Sequence, residues 1–447
     1  MSSVVIIGAG LTGLSTAYHL EQQGFFDYAV FEKEATVGGL CRSIHHEGFI
    51  FDYTGHLLHI NAPNFKHFIE QKIGLEHFTA INRRSCIYSQ QRFTRYPYQT
   101  NLFGLPAETI AACIEGFVNR SCNQQQPKLF TDWVLHNFGA GFAHHFFFPY
   151  QQKIFDFPVE QLSASWTGRF VPKTSLRELI LGAVEDRGNE PIGYNAQFLY
   201  PTTGGIFLWV EKLAGLLKNK ITTNKKMVAI DLVCKKITFA DGTVTQYETL
   251  INTMPLKEFL QLINPHHPLI AAAHHLQCNS VINFNIGVAR PDVSDKHWVY
   301  FPEPEFPFYR VGFWHNFGTA MAPPNCSSLY GEISFLNRDH ATQEKKLRAA
   351  KEQIKKIFSI AEHEIVTEYD IFIPHAYVIF DQWRDENLPN ILQKLEEYSI
   401  FSVGRYGAWK YSSMQEGFLE GKEVAERLAK KGVYKHEQQF HTPSQQP

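Results

Sequence analysis

The chain has 447 residues, 44% hydrophobic and 19% charged, enough apolar material for two or three domain cores. Its formal net charge of −2 and pI of about 6.9 exclude the basic excess with which nucleic-acid binders track phosphates. Seven cysteines, an odd number without a CxxC pair, argue against a disulfide framework or a zinc site, and no metal is expected.

The first element is Val4-Val5-Ile6-Ile7, a short β-branched run expected to be a buried parallel strand. Gly8, Gly10 and Gly13 follow as GxGxxG, and Leu14 to Gln23 then has helical periodicity and stops at Gly24. This reads as a strand and helix rather than a signal peptide. In such a turn Gly8 permits the tight bend, Gly10 lets the backbone approach a pyrophosphate, and Gly13 allows close helix–strand packing. A lone GxGxxG is a weak signal. Here Tyr28–Phe31 reads as a second strand ending at Glu32, whose carboxylate can accept from a ribose hydroxyl and disfavours a 2′-phosphate. Strand, glycines, helix, strand and acid stand in register for a dinucleotide, and NADP is a poor candidate for it.

Strand–helix patterning continues to about residue 80, and a helical, aromatic-rich stretch runs from Pro106 to Glu190. Strand character returns over Met227–Pro255, with Asp241-Gly242 as a hairpin turn. Residues 276–380 mix strands with one charged helix, Gln343 to Phe358. "FSVGRYGAWKYSSMQEG" then gives a strand and a glycine-rich turn before an amphipathic helix. The tail from Tyr434 is polar. No run of about 18 apolar residues suggests a membrane span, so a cytoplasmic protein is the simplest expectation.

Glu32-x5-Gly38-Gly39 resembles the second diphosphate contact of glutathione-reductase-type flavoproteins, especially their amine-oxidase-like branch. The resemblance implies FAD and a discontinuous α/β Rossmann-like fold. Its FAD-binding domain is assembled from 1–80, 200–275 and 395–433. A mainly helical insertion (81–199), a mixed-sheet substrate domain (276–394) and a polar tail (434–447) complete the chain. Leu11, Thr12, Lys33 and Leu40 beside the glycines and acid are then cofactor contacts. So are Val228 and Met254 in the returning strands, and Gly404, Arg405 and Met414 near the C-terminus.

Over nearly its whole length the chain also resembles the UDP-galactopyranose mutase-like flavoproteins. "FDYTGHLLHI" resembles the family loop whose Gly-His pair sits against the isoalloxazine, which implies that place for Gly55 and His56, and "YPYQTNLFGLP" resembles a segment whose Gln contacts the nucleotide base, which implies Gln99. "FFFPYQQKIF" supplies Gln151 and Phe155, and "ASWTGRF" supplies Arg169. "WVYFPEPEFPFYR" gives Tyr300 and Arg310, "IPHAYVIFD" gives Tyr377, and "GRYGAWKY" gives Arg405 and Tyr411. The resemblance implies that Arg169 and Arg310 clamp a nucleotide diphosphate while Tyr300, Tyr377 and Tyr411 donate to phosphate oxygens. For any single Tyr among 19, core packing is the simpler reading, and for one Arg a solvated salt bridge is. The implied reaction is pyranose–furanose isomerisation of a nucleotide sugar through a reduced-flavin N5 adduct, with NADH or NADPH as reductant and His56 beside the flavin.

The sequence departs from the family pattern at Gln151 and Phe155, which leaves the base open, and at "SSMQEG" (412–417), where Gln415 replaces an expected Asn. That ending, and "GYNAQFLYPTTGGI" (193–206), are closer to protoporphyrinogen-oxidase-like proteins associated with polysaccharide assembly. Two alternatives therefore stand beside the mutase: an FAD oxidoreductase of the amine-oxidase type, and a non-catalytic FAD-bound scaffold.

Overall fold

The computed structural model describes residues 2–121, 127–168, 171–187, 196–337 and 339–430. The apolar run Val4–Ile7 is the central strand of a five-stranded parallel sheet. Its neighbours are Thr249–Asn252 on one side and Tyr28–Phe31 on the other, with Ile400–Ser402 and Ile221–Thr222 at the edges. Two long excursions of chain, between Phe31 and Ile221 and between Asn252 and Ile400, separate these strands, so the sheet is built discontinuously. All four residues of Val4–Ile7 are buried, as a strand covered on both faces requires. The helix Leu11–Gln22 packs on the C-terminal helix Met414–Lys430, and Ser15 Oγ donates to Phe418 O at 2.6 Å across that seam.

A second, seven-stranded sheet stands beside it. Its order is Ile365–Ile373, Ser280–Val288, Ser327–Phe335, Arg310–Phe313, Trp298–Tyr300, Ser85–Ser89 and Arg92–Arg95. The pairings are antiparallel except that Trp298–Tyr300 runs parallel to Ser85–Ser89, which makes the sheet mixed. Residues 81–199, read from sequence as mainly helical, thus also contribute two strands to this sheet. The alternating burial of Ser85–Ser89 is the reason they pair there. The same region supplies the helices Ala107–Val118, Phe130–Phe142, Phe148–Phe155 and Leu176–Val184, of which Phe130–Phe142 and Phe148–Phe155 are rich in aromatic residues. Tyr98, Phe146 and Tyr150 stack with ring centroids 5.0 and 5.2 Å apart, and Tyr150 meets Tyr300 edge-on.

The hairpin expected at Asp241-Gly242 joins Lys236–Phe239 to Val244–Gln246, and the charged helix spans His340–Ile357. The tail 434–447, Arg169 and residues 193–195 of the "GYNAQ" segment lie outside the described residues.

Candidate functional site

The two sheets meet around one cavity of about 820 Å³. Its first wall is the glycine turn after Val4–Ile7. Gly8 has φ +97°, and a Cβ there would lie 2.4 Å from Thr253 Oγ1, so both conformation and space demand glycine. Gly8, Gly10, Leu11 and Thr12 line the cavity. Gly13 does not; it lies so close to the turn that a Cβ would meet Gly8 O at 2.0 Å, which is the packing role expected of it.

Gly38 and Gly39 close over Gly10. Gly38 N donates to Ala9 O at 2.8 Å, and Gly10 and Gly38 form an isolated parallel bridge. Glu32 is 6% exposed and lines the cavity beside Lys33. Its Oε2 accepts from Ala9 N at 2.7 Å and its Oε1 from Glu34 N at 2.9 Å. Each oxygen keeps a lone pair, enough to accept from a ribose hydroxyl. Leu40, Met254, Gly404 and Met414 complete this lobe. Side-chain-free backbone at the turn, a buried acid and the N-terminus of Met414–Lys430 form a cradle that fits the diphosphate and ribose of FAD. That helix opens with a capping box: Glu416 N donates to Ser413 Oγ at 3.3 Å, and Ser413 N donates to Glu416 Oε2 at 2.7 Å.

Val228 is corrected by the structure. Met227, not Val228, lines the cavity, while Val228 is 39% exposed. The strand pairing shifts register between Met227 and Ala229, and Val228 lies at that irregularity with its side chain turned out.

The other lobe carries charge and aromatic rings. Gly55 and His56 line it, after Thr54, a β-branched residue held at φ +91°. Such strain costs on the order of 1–3 kcal/mol and persists where surrounding structure enforces it. His56 Nδ1 lies 3.3 Å from Thr54 O, which places its proton on Nδ1. Desolvation, with Arg405 and Arg310 nearby, lowers its pKa to about 4, so the ring is neutral at pH 7.

Arg310 lines the cavity but is already engaged. Its Nε and Nη2 donate to Glu332 Oε2 and Oε1 at 2.9 and 2.6 Å, and Glu332 is 0% exposed. Arg405 differs: its Nη1 donates to Ser412 O, its guanidinium lies 4.5 Å from the Tyr411 ring, and no carboxylate pairs with it among the described residues. Tyr377 and Tyr411 share this wall. Burial pushes the Tyr377 hydroxyl up to about 12, keeping it a protonated donor.

Gln99, Gln151, Phe155 and Tyr300 are not in the cavity wall. Gln99 Nε2 donates to Pro172 O. Phe155 packs on Trp166 and Tyr377, and Tyr300 packs on Tyr96 and Tyr150. Gln415 does not line the cavity either; its Oε1 accepts from Ala62 N at 2.8 Å and so pins the end of the loop that carries His56. Sequence reasoning missed Glu332, Trp298, Tyr309 and Tyr330, of which the last three line the cavity. Trp298 and Tyr309 lie in the segment 298–310 already singled out; Tyr330 and Glu332 carry no local motif.

Among solved structures, that of a reduced UDP-galactopyranose mutase is similar to this chain with a TM-score of 0.88 and 27% identity, covering 96% of both chains. The putative protoporphyrinogen oxidase from Exiguobacterium sp. 255-15 shares the fold, with a TM-score of 0.75, 16% identity and coverage of 96% and 99%. By sequence, the phytoene desaturase of Fusarium fujikuroi is 43% identical over 72 residues, a segment spanning 16% of this chain and 12% of the desaturase. The coproporphyrinogen III oxidase of Staphylococcus aureus (strain NCTC 8325 / PS 47) is 24% identical over 296 residues, 58% of this chain and 61% of that protein. The family model of flavin-containing amine oxidoreductases matches residues 11–429, nearly the whole chain, and the chain belongs to that family.

Proposed function

We propose that the protein is an FAD-dependent nucleotide-sugar mutase, isomerising pyranose and furanose forms. The observation that carries this reading is the continuity of one cavity, in which a dinucleotide cradle opens directly onto a cationic, tyrosine-walled lobe. The whole-length likeness to a reduced UDP-galactopyranose mutase supports it. When bound and reduced, the flavin supplies a nucleophilic electron pair without net redox change.

The chain's own groups bind and orient. Arg405, with no carboxylate partner among the described residues, offsets negative charge on the ligand, and Arg310 presents the edge of its guanidinium not taken by Glu332. Arg169 is the further clamp in this proposal. Tyr377 and Tyr411 donate to phosphate oxygens. Neutral His56 keeps Nε2 as an acceptor, and the aromatic wall excludes water from the leaving diphosphate. NADH or NADPH serves as reductant, and polysaccharide assembly is the setting we propose.

One observation favours a second reading. The relatives named as coproporphyrinogen III oxidases align over 58% and 66% of the chain, which supports a net FAD-dependent oxidoreductase. An anaerobic experiment separates the two. The holoprotein is reduced with dithionite, offered a panel of nucleotide sugars, and its products are resolved by chromatography. The mutase predicts a ring-isomerised product only with reduced flavin. No nucleotide-sugar binding in either redox state, together with flavin turnover against oxygen, transfers the assignment to the oxidoreductase.

A further inference from the structure

Three strands of the mixed sheet place side chains in two parallel cross-strand rows beside the cavity. One row is Tyr300, Arg310 and Glu332. The other is Trp298, Gly312 and Tyr330, one pleat repeat away. The first row holds the charge. The second holds no charge at all, yet it contains polar atoms with nothing to bond.

Tyr330 is 0% exposed, lines the cavity, and its hydroxyl has no hydrogen-bond partner among the described residues. The Trp298 indole N–H, 3% exposed and in a residue that also lines the cavity, makes no hydrogen bond of good geometry among the described residues. Buried polar atoms are ordinarily satisfied, so a hydroxyl left open at a cavity wall marks a place for a ligand atom.

Tyr330 is held in that pose from three sides. Its ring occupies the space over Gly312, where a Cβ would lie 2.1 Å from Tyr330 Cε1. It stacks on Trp314 with centroids 4.2 Å apart, and Trp314 Nε1 is anchored to Asn285 Oδ1 at 2.9 Å. The hydroxyl reaches the Gly55 loop: a Cβ on Gly55 would lie 2.8 Å from Tyr330 Oη and 3.7 Å from Arg310 Nη2. A ring fixed this firmly presents its oxygen at one position, as a discriminating contact requires.

We propose that Tyr330 is a specificity-determining residue whose hydroxyl, with Trp298 beside it, hydrogen-bonds the hydroxylated sugar ring of the ligand. The inference rests on the nucleotide-sugar reading above and deepens it. Its chemistry follows from the two rows. A diphosphate is held by cations, and the Arg310 row has one. A sugar hydroxyl both donates and accepts, which suits a tyrosine hydroxyl and an indole N–H set among aromatic faces.

The test is Tyr330→Phe, which removes one oxygen and leaves the ring seated on Trp314 and Gly312. Reduced holoprotein, wild type and variant, is titrated by flavin fluorescence with UDP and with UDP-galactose, then with the matching GDP, TDP and ADP pairs. The expected result is about tenfold weaker binding of the nucleotide sugar, from the loss of one buried hydrogen bond, with diphosphate binding, flavin content and flavin absorption unchanged. Analogues deoxygenated at successive sugar positions complete a cycle: the one lacking the bonded hydroxyl binds wild type and variant alike. Equal weakening of diphosphate and sugar, or no weakening, overturns the proposal. Altered flavin retention or absorption overturns it by assigning the hydroxyl to the cofactor. A wild type that binds no nucleotide sugar removes the functional reading and this subsite together, whereas binding that is the same in both proteins removes the subsite alone.

Discussion

Arg310→Ala should unfold the site before it tests the ligand. Both side-chain oxygens of Glu332 are held by Arg310, at 2.9 and 2.6 Å, and Glu332 is 0% exposed. Removing the guanidinium leaves a charge with neither water nor donor. Breaking a buried pair from one side costs about 3–5 kcal/mol, and two charge-assisted bonds place this case in the upper half of that range. Adding Glu332→Gln should recover at least about 2 kcal/mol, because an amide needs no counter-charge. Urea unfolding of the holoprotein, followed by flavin and tryptophan fluorescence, measures both. The double variant is then the fair protein for ligand titration: with both charges of the pair removed together, nucleoside-diphosphate binding should weaken by about 1 kcal/mol, the worth of one hydrogen bond from the free edge of the guanidinium. A single variant destabilised by less than about 1 kcal/mol, or a double no more stable than the single, would show that Glu332 does not depend on Arg310, and the pairing argument would fail.

Other perturbations separate the cradle from the fold. A Cβ on Gly10 meets nothing closer than Gly39 Cα at 3.9 Å, whereas one on Gly13 meets Gly8 O at 2.0 Å. Gly10→Ala should therefore leave the apoprotein's melting temperature unchanged while lowering FAD content of the purified protein several-fold, and Gly13→Ala should lower both. His297 accepts from Arg84 N at 2.9 Å, and burial lowers its pKa to about 4. Between about pH 6.5 and 4 the unfolded chain binds a proton that the folded one refuses. Stability owed to neutral His297 is thus lost as pH falls through that window, at up to about 1.4 kcal/mol per pH unit. Asp52, buried with its pKa raised to about 6, acts in the opposite sense, so the measurement is the difference between wild type and His297→Gln, which should close above pH 6.5. Gln415→Ala should cost about 1 kcal/mol and accelerate hydrogen exchange at Ala62 specifically.

What the sequence revealed was what is local in the chain. The glycine turn, Glu32 and Gly38-Gly39 lie within 32 residues of one another, and their spacing alone dictates a strand–turn–helix with an acid at its edge. The hairpin at Asp241-Gly242 and the apolar strand Thr249–Asn252 were readable for the same reason. The side chain of Val228 is outside the cavity wall and that of Met227 is in it, because the strand's register shifts between Met227 and Ala229, which a sequence does not show. "SSMQEG" read as a departure from a family pattern, yet its physical content is a capping box at Ser413 and Glu416 and a tether at Gln415. Tyr300 and Phe155 went to an aromatic core, as the abundance of Tyr and Phe already favoured.

The pairing of charges was not legible, and it changes the reading of the site most. A sequence shows that Arg310 and Arg405 are cations; only strand register shows which one is spent. Arg310 stands opposite Glu332 because Arg310–Phe313 pairs with Ser327–Phe335 in one register, and a shift of one residue would bring Gly331 there instead. Arg405 sits in a short turn beyond the edge strand Ile400–Ser402, where no neighbouring strand can set an acid against it. The lobe around His56 therefore carries one neutralised guanidinium, Arg310, and one with no carboxylate against it among the described residues, Arg405. A ligand charge entering this lobe finds its strongest unmatched partner at Arg405, while the Arg310–Glu332 pair contributes a fixed dipole and a shaped wall.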